Sequence, residues 1–368
     1  MGLEIKIIAG SYEQITFGYR VRIDGEDWKA EPDFTHHAHT ACLSALTCSD
    51  RFLATGSKDE TIQLYDLRRK SEHGSLLHHD GSITCLEFYG SSHLLSGAED
   101  GLLCVWSTKK WESLKSIKAH RGHVTSLSVH PSGKLALTVG TDKTLRTWNL
   151  IDGRSAFIKN IKENAHIVMW SSEGDKYVVV VDNKVDVYNL ETASVTGSFS
   201  CPSRISSIRF LQNSHLAVAG DDEVVRFFNL SAGKCVCEFK AHKNRVKAID
   251  TFPLDDALLL VTASNDGFIK MWKVHLEKIS EPPALLLEVN TTARLTCLTI
   301  FQPGQESAEE PAAPPSTSSG GSDVNMSTNI MNMELGEGEL VSAPQAVKFP
   351  IYVQPFQYST LCSTSFLK

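Results

Sequence analysis

The chain has 368 residues, of which 42% are hydrophobic and 21% charged, and its formal net charge is −7. This composition is that of a soluble globular protein, and no apolar run approaches the roughly 20 residues that a membrane span requires. Acidic residues are concentrated in residues 302–340, which contain no lysine or arginine. The preceding part of the chain is therefore nearly neutral, so net charge does not single out nucleic acid as a partner, although local basic patches remain possible.

Six segments share an aspartate that is followed six residues later by an aromatic residue. The six aspartates recur at five successive intervals of 40 to 44 residues, a regularity that chance does not produce. The pairs are Asp59 and Tyr65, Asp100 and Trp106, Asp142 and Trp148, Asp182 and Tyr188, Asp222 and Phe228, and Asp266 and Trp272. A period of about 40–45 residues that ends in a Trp-Asp-like dipeptide is typical of WD-repeat propellers.

Each repeat contains four short runs in which apolar and polar residues alternate. In the second repeat these runs are SITCLEFY, HLLSGAED, LLCVWST and WESLKSIK, with turn residues between them. Such alternation predicts four β-strands per repeat. A four-stranded blade cannot bury both of its faces alone, so the blades are expected to stack around an axis.

The two ends of the repeat array predict how the ring closes. Residues 294–301 (RLTCLTIF) resemble the first strand of a further blade whose other three strands are missing there. Near the N-terminus, Glu13 precedes Tyr19 by six residues, as in the repeats, and residues 28–37 supply a fourth strand. Pairing of these segments completes a seventh blade and removes exposed sheet edges.

These observations predict an all-β, seven-bladed WD40 propeller over residues 1–301. N-terminal strands pair with a C-terminal strand to close the ring. Residues 302–368 are rich in Pro, Ser and Gly and are predicted to form a low-complexity, disordered extension. The nine cysteines contain no CxxC pair, which indicates reduced, intracellular thiols.

Four repeats also share a histidine and a hydroxyl residue. The hydroxyl lies four residues before the aspartate, and the histidine four residues before the first apolar residue of the opening strand; the repeats of Asp182 and Asp222 lack both. Hydrolase triads combine similar residue types, but four active sites around one ring are implausible, so a buried hydrogen-bonded network that holds a turn is favoured. Tyr65 must replace the indole in the first network. The predicted structural tetrads are His39, Thr55, Asp59 and Tyr65; His79, Ser96, Asp100 and Trp106; His120, Thr138, Asp142 and Trp148; and His242, Thr262, Asp266 and Trp272.

Two histidine clusters are candidates for metal ligands. They are His36, His37 and His39, and the pair His78 and His79. Adjacent residues of a strand point to opposite faces, and no cysteine or acidic residue lies at ligand spacing. GxSxG, GxGxxG and HExxH motifs are absent as well. The sequence therefore predicts no enzyme activity, no metal and no cofactor.

Basic residues lie at both predicted rims of the ring. One cluster occupies the loops between the third and fourth strands of the first two repeats. It consists of Arg68, Arg69, Lys70, Lys109, Lys110 and Trp111. Cations beside an aromatic residue suit RNA phosphate or an acidic protein, whereas the alternative is ordinary solvated hairpin charge. Exposed loops of the opposite rim, where binding sites commonly occur, carry Lys58, Arg121, Lys243 and Arg245.

Several stretches closely resemble one family of WD-repeat proteins. They include AGSYEQITFGY, DFTHHAHT, ATGSKDETIQLYDL, LLSGAEDGLLCVW, GRSAFIKNIK and SNDGFIKMW, and the similarity runs through residues 1–301. The family is that of the PAK-interacting protein 1-like proteins. The resemblance implies a place in the nucleus and nucleolus, a role in assembly of the large (60S) ribosomal subunit, and binding and restraint of a p21-activated kinase.

This chain departs from the family pattern at its C-terminal end. Family members typically have a lysine-rich tail, whereas residues 302–340 are acidic and rich in Pro and Ser. Nucleolar retention through a basic tail is therefore not expected, and some of the protein is expected in the cytoplasm.

The resemblance implies two functions. The first is a non-enzymatic scaffold in 60S assembly, whose partners are assembly factors or ribosomal proteins, with rRNA as a further contact. The second is negative regulation of a p21-activated kinase by direct binding. Both roles can coexist on different rims, in a monomer that joins larger complexes and binds no membrane.

Overall fold

Short strands of alternating apolar and polar residues build the whole ring. The structure, a computed structural model, describes residues 3–25 and 27–302. Within these residues 28 strands form seven antiparallel sheets of four strands each, which are the blades of a β-propeller. The predicted all-β, seven-bladed fold is confirmed. The predicted disordered extension, from residue 303 onward, lies outside the described residues.

The strands are numbered in chain order. The first fourteen are β1 (Glu4–Ser11), β2 (Thr16–Asp24), β3 (Asp27–His36), β4 (Leu43–Cys48), β5 (Phe52–Ser57), β6 (Ile62–Asp66), β7 (Ser71–Leu76), β8 (Ile83–Tyr89), β9 (His93–Ala98), β10 (Leu102–Ser107), β11 (Glu112–Lys118), β12 (Val124–Val129), β13 (Leu135–Gly140) and β14 (Thr144–Asn149). The others are β15 (Arg154–Asn160), β16 (Ile167–Trp170), β17 (Lys176–Val181), β18 (Lys184–Asn189), β19 (Val195–Ser200), β20 (Ile205–Gln212), β21 (His215–Gly220), β22 (Val224–Asn229), β23 (Lys234–Lys240), β24 (Val246–Pro253), β25 (Leu258–Ser264), β26 (Phe268–Val274), β27 (Ala284–Asn290) and β28 (Leu295–Phe301).

Blades 1 to 6 each contain four consecutive strands, beginning with β4–β7 and ending with β24–β27. A single turn of 3-10 helix, Leu276–Lys278, lies between β26 and β27. Over residues 3–25 and 27–302 we find no helix with the length and apolarity that a membrane crossing needs.

Blade 7 joins the two ends of the propeller. Its strand order is β28-β1-β2-β3, and Ile7 of β1 pairs with Ile300 of β28. The Glu13 carboxylate lies 2.8 Å from Nε of Arg294, whose guanidinium also stacks over the Tyr12 ring at 4.2 Å. The predicted closure by N-terminal and C-terminal strands is confirmed.

The apolar core lies between the blades. Each hydrophobic cluster takes residues from two neighbouring sheets; Ile62 and Leu64 of blade 1, for example, pack with Ile83 and Leu94 of blade 2. Because each sheet face is covered by the next blade, the ring as a whole buries what a single blade would expose.

The innermost strands are also joined by side-chain hydrogen bonds. The hydroxyl of Thr84 in blade 2 donates to the Val124 carbonyl of blade 3 at 2.7 Å, and Thr125 donates to the Ala165 carbonyl next to blade 4 at 2.7 Å. Blade 4 has His166 at this place, and its Nε2 donates to the Ile205 carbonyl at 2.8 Å. These bonds tie blades 2, 3, 4 and 5 to one another around the centre.

Antiparallel pairing places the connections at two ends of the strands. We call the upper rim the end that carries the turns between second and third strands and the connections between blades. The lower rim carries the turns between first and second strands and between third and fourth strands. Candidate residues on the two rims therefore face opposite sides of the ring.

Candidate interaction surfaces

Blade 3 brings His120, Thr138, Asp142 and Trp148 together beneath the upper rim. His120 Nδ1 donates to Asp142 at 2.9 Å, and the Thr138 hydroxyl lies 2.8 Å from His120 Nε2. The Trp148 indole N–H donates to the Thr138 hydroxyl at 2.8 Å. Since the carboxylate can only accept, Nδ1 carries a proton, and the hydroxyl then donates to Nε2 while accepting from the indole.

The same chain of hydrogen bonds forms in blades 2 and 6. The His–Asp distances are 2.9 Å for His79 and Asp100 and 3.1 Å for His242 and Asp266. The hydroxyls of Ser96 and Thr262 lie 2.8 and 2.7 Å from the histidines. They accept the indole N–H groups of Trp106 and Trp272 at 2.8 and 3.1 Å.

Blade 1 differs because Tyr65 does not take the place of the indole. His39 contacts Asp59 at 3.0 Å and Thr55 at 2.8 Å, but the buried Tyr65 hydroxyl near Thr55 makes no hydrogen bond of normal geometry within the described residues. The phenol oxygen lies at the far end of its ring, farther from Cβ than the indole nitrogen does. It therefore cannot occupy the position of the indole N–H. Thr61, two residues after Asp59, donates to its carboxylate at 2.7 Å, as Thr144 does to Asp142 in blade 3.

The networks are too buried to act as nucleophilic sites. Burial lowers the pKa of His120 although Asp142 opposes this effect, so the imidazole is neutral at pH 7. Burial alone would raise the pKa of Asp142, but hydrogen bonds from Thr144 and His120 hold that pKa well below its ordinary value. The Thr138 hydroxyl is fully buried and committed to two partners, so no substrate can reach it.

The networks hold the backbone of the upper rim in place. Asp142 accepts the backbone N–H of Arg121 at 3.1 Å, and Asp266 accepts that of Lys243 at 3.0 Å. Both of these basic side chains are exposed, as are Lys58 and Arg245. They belong to blades 1, 3 and 6, so the upper-rim cations lie on separate blades rather than in one patch.

Blade 5 uses other side chains, which the sequence reasoning missed. In blade 5 the Arg226 guanidinium contacts Asp222 at 2.8 Å, and Ser203 donates to Asp222 at 2.9 Å. Arg226 lies four residues after Asp222, as Arg146 does after Asp142, which it contacts at 3.3 Å. That spacing is the sequence signal that could have found them.

Acidic residues surround the upper-rim cations of blade 6. Lys243 and Arg245 line an open cleft of about 480 Å³ together with Asp221, Asp222 and Glu223. Beside it, Lys247 pairs with Asp221 at 2.8 Å. This part of the upper rim therefore carries charges of both signs.

On the lower rim, four of the predicted binding residues project into solvent. Arg68 and Arg69 donate their backbone N–H groups to the buried Asp66 carboxylate at 3.0 Å each, which fixes their turn. Their side chains, and those of Lys109 and Lys110, are exposed.

The other two lower-rim candidates make structural contacts. Lys70 lies 2.6 Å from Asp33, a buried carboxylate that Lys6 and Arg20 also contact at 2.8 and 2.7 Å. Trp111 is half-buried and packs edge-on against Phe52 with ring centroids 5.0 Å apart. These two side chains hold neighbouring blades together and are not free for a partner.

The histidine clusters separate into different environments. His36 stacks on the Tyr65 ring at 4.2 Å, while His39 lies in its network with Asp59. The rings of His78 and Trp106 are nearly perpendicular, with centroids 5.8 Å apart, and His79 faces Asp100. Over the part of the chain that the structure describes, no three His, Cys, Asp or Glu residues are grouped as metal ligands.

Seven blades and repeated His–Asp networks define the class of WD-repeat β-propellers. The family model described as "WD domain, G-beta repeat" matches residues 30–66, 70–107, 111–149 and 233–273, which are the four repeats that contain a His–Asp network. In zebrafish (Danio rerio), a p21-activated protein kinase-interacting protein 1-like protein is 67% identical over 314 residues, covering 85% of each chain.

More distant proteins share the architecture. Shk1 kinase-binding protein 15 of Schizosaccharomyces pombe is 32% identical over 273 residues, covering 73% of this chain and 77% of that protein. The solved structure of U3-55K superposes with a TM-score of 0.62 at 15% identity, covering 69% of this chain and 83% of that one, which shows a common fold. The chain belongs to the p21-activated protein kinase-interacting protein 1 family.

Proposed function

We propose that the protein is a non-enzymatic scaffold for assembly of the 60S ribosomal subunit in the nucleolus. The lower rim of blades 1 and 2 is the surface that faces the ribosomal particle. The observation that carries this assignment is the group of exposed cations Arg68, Arg69, Lys109 and Lys110 on turns that are fixed by Asp66 and by packing of Trp111. Cations on a rigid scaffold bind phosphate without losing much conformational freedom on binding.

The distribution of charge on the lower rim supports a defined orientation. Exposed carboxylates are concentrated on the lower-rim turns of blades 4 and 6, whereas the lower-rim turns of blades 1 and 2 have one, Asp50. Those of blades 4 and 6 are Glu173, Asp175, Glu191, Asp255 and Asp256. An rRNA backbone is attracted to blades 1 and 2 and repelled by these turns, so the ring docks with one side toward the particle. Acidic ribosome assembly factors would be oriented in the same way.

The test is a variant with four charge reversals, Arg68→Glu, Arg69→Glu, Lys109→Glu and Lys110→Glu. Lys70 and Trp111 are left unchanged because they hold the blades together. Sucrose-gradient sedimentation of cell extract should show the variant released from pre-ribosomal fractions, and binding of the unmodified protein should weaken as salt is raised. The matched control reverses four upper-rim cations, Lys58→Glu, Arg121→Glu, Lys243→Glu and Arg245→Glu. Equal sedimentation of the lower-rim variant and the unmodified protein rejects the proposal.

The names of the relatives, a p21-activated protein kinase-interacting protein and a kinase-binding protein, favour a second function, direct binding of a kinase. We propose that this chain binds a p21-activated kinase and thereby restrains it. We propose that the kinase contacts the upper rim, where the networks fix the backbone at Arg121 and Lys243. The upper-rim variant should then lose inhibition in an assay with purified kinase, while the lower-rim variant keeps it. If the lower-rim variant loses inhibition instead, the two rims have been assigned in reverse.

A further inference from the structure

The turn between third and fourth strands has an equivalent residue in blades 1 to 5. In each of these five blades, one residue of this turn has a positive φ. These residues are Lys70 (52°), Trp111 (54°), Gly153 (61°), Ala193 (49°) and Gly233 (62°). The same backbone geometry thus carries very different side chains around the lower rim.

A second equivalent position lies in the fourth strand. There, one extra residue interrupts the pairing with the third strand, and such a bulge redirects its side chain. In blades 7, 1 and 2 the extra residues are Asp33, His73 and Leu114.

At two junctions between blades, the turn residue of one blade covers the bulged residue of the preceding blade. Lys70 of blade 1 contacts Asp33 of blade 7 at 2.6 Å. Trp111 of blade 2 packs near His73 of blade 1, with ring centroids 5.9 Å apart. The outer groove between these blades is therefore filled by the protein itself.

The groove between blades 2 and 3 lacks this filling. Gly153 stands where Lys70 and Trp111 stand in their blades, and the bulged Leu114 is 51% exposed. An open cavity of about 310 Å³ remains, lined mainly by apolar side chains such as Leu114, Ile117, Leu150 and Ile151. This volume falls near the lower end of the ~300–1,000 Å³ range of ligand pockets. Ile151 is 71% exposed at the edge of the cavity, and exposed apolar surface of this kind marks interaction sites.

One cation lines the cavity, and two exposed cations lie beside it in the chain. Lys115 lines it, and Lys134 and Arg154 directly follow the lining residues Gly133 and Gly153. No carboxylate of the described residues lies within 4.0 Å of these three side chains. Asp152 is the one lining carboxylate, and it accepts a hydrogen bond from Asn149 at 2.9 Å. Three cations in or beside the groove thus outnumber its one lining carboxylate, which favours an acidic ligand.

We propose that this groove binds a short acidic peptide segment of a partner protein, with one large apolar side chain inserted beside Leu114. The inserted side chain, an aromatic or a leucine, takes the place that Trp111 fills in the neighbouring groove. Acidic residues on both sides of this anchor meet Lys115, Lys134 and Arg154. The groove uses none of the cations reversed in the tests above. The test of the groove and the test of the lower-rim proposal therefore have independent outcomes.

The turn itself offers a variant that fills the groove. In Gly153→Trp the new side chain occupies the cavity, and Trp111 shows that this turn accepts tryptophan at positive φ. The atom nearest to a Cβ at Gly153 is the flexible end of Lys115 at 2.6 Å, which can move aside. The matched control is Gly233→Trp, at the equivalent turn of blade 5, where the nearest atom is 4.0 Å away.

The experiment measures fluorescence anisotropy of a labelled peptide, EEDWLEDE, with the full-length protein. The unmodified protein and Gly233→Trp should bind it with equal affinity, and Gly153→Trp should bind roughly tenfold or more weakly, because one buried apolar anchor is lost. Peptide EEDAAEDE, without the anchors, and KKRWLKRK, with reversed charge, should both bind roughly tenfold or more weakly. Thermal melts verify that both tryptophan variants are folded.

A second variant keeps the test decisive if Gly153→Trp does not fold. Leu114→Asp should abolish peptide binding, whereas Leu77→Asp, at a site that is 69% exposed in blade 1, should leave it unchanged. Equal binding of EEDWLEDE and EEDAAEDE would mean that charge alone acts, and would overturn the proposal. Self-association of the unmodified protein that Gly153→Trp abolishes would overturn it in favour of a second copy of the chain.

Discussion

Asp142 and Asp182 occupy the same position of their repeats but have different surroundings. Asp142 accepts hydrogen bonds from the His120 ring, from Thr144 and from the backbone of Arg121. The Asp182 side chain is 72% exposed, and its nearest cation is Arg204 at 3.9 Å. The contribution of the repeat aspartate to stability therefore depends on the histidine that it faces.

We expect Asp142→Ala to lower the free energy of unfolding by about 1–3 kcal/mol, because it leaves buried donors without a partner. Asp182→Ala should change it by no more than ~0.5 kcal/mol, as exposed sites usually do. Thermal and urea unfolding of both variants measure the difference. Equal losses would mean that the network around Asp142 does not stabilise its blade.

For individual residues, the sequence predicted contacts within a blade better than contacts between blades. The positions of His120, Thr138 and Trp148 relative to Asp142 follow from strand pairing, so a fixed offset in sequence was enough to group them. The roles of Lys70 and Trp111 could not be predicted in this way, because their partners Asp33 and His73 belong to the preceding blade and have unrelated residue types.

Strands and blades do not coincide with the repeats of the sequence. The matched repeat 70–107 begins at β7, the fourth strand of blade 1, and ends at β10, the third strand of blade 2. Alternation and turn residues predicted each strand, and the unpaired strand at residues 294–301 predicted the closure. The hydroxyl bonds between innermost strands, such as Thr84 to the Val124 carbonyl, were missed because their acceptors are backbone atoms that no residue type marks.

Removing residues 1–36 should leave β28 without β1, so the protein should aggregate rather than unfold cooperatively. A circular permutant is the matched control. It starts at residue 38, continues to residue 302 and returns through a short Gly-Ser linker to residues 3–37. Since Lys6 pairs with Phe301, such a linker can join the two strands as a hairpin. Soluble, cooperative folding of the truncated protein, or aggregation of the permutant, in sedimentation and thermal melts would contradict the closure.

For the whole molecule, the buried histidines make stability depend on pH. Burial lowers the pKa of each of them, only partly opposed by the hydrogen-bonding partner; they are His39, His79, His120, His166 and His242. The unfolded chain, with histidine pKa values near 6.5, therefore binds more protons than the folded ring in mild acid. The resulting stability is fully present above about pH 6.5 and is lost as the pH falls below that value.

The melting temperature should therefore fall between about pH 7 and pH 5, because five histidines titrate there in the unfolded chain. Burial raises the pKa of Glu87 to about 7, so this one carboxyl acts in the opposite direction and reduces the slope. His120→Gln removes one of the titrating groups, so its melting temperature should change less steeply with pH than that of the unmodified protein. Differential scanning calorimetry across this range provides both slopes. Equal slopes for His120→Gln and the unmodified protein would show that His120 is not held neutral in the folded ring.

The junction of blade 7 also has a consequence for synthesis of the protein in the cell. Glu13 and Arg294, which meet beside this junction, are 281 residues apart in the chain. A ribosome adds about 5–20 residues per second, so β1 emerges on the order of 15–55 s before β28 can cover it. Throughout that time β1 has β2 on one side and an open edge on the other, which nascent chains on neighbouring ribosomes can pair with. A chaperone, or spacing between ribosomes, would keep this edge from pairing with other chains until the last strand arrives.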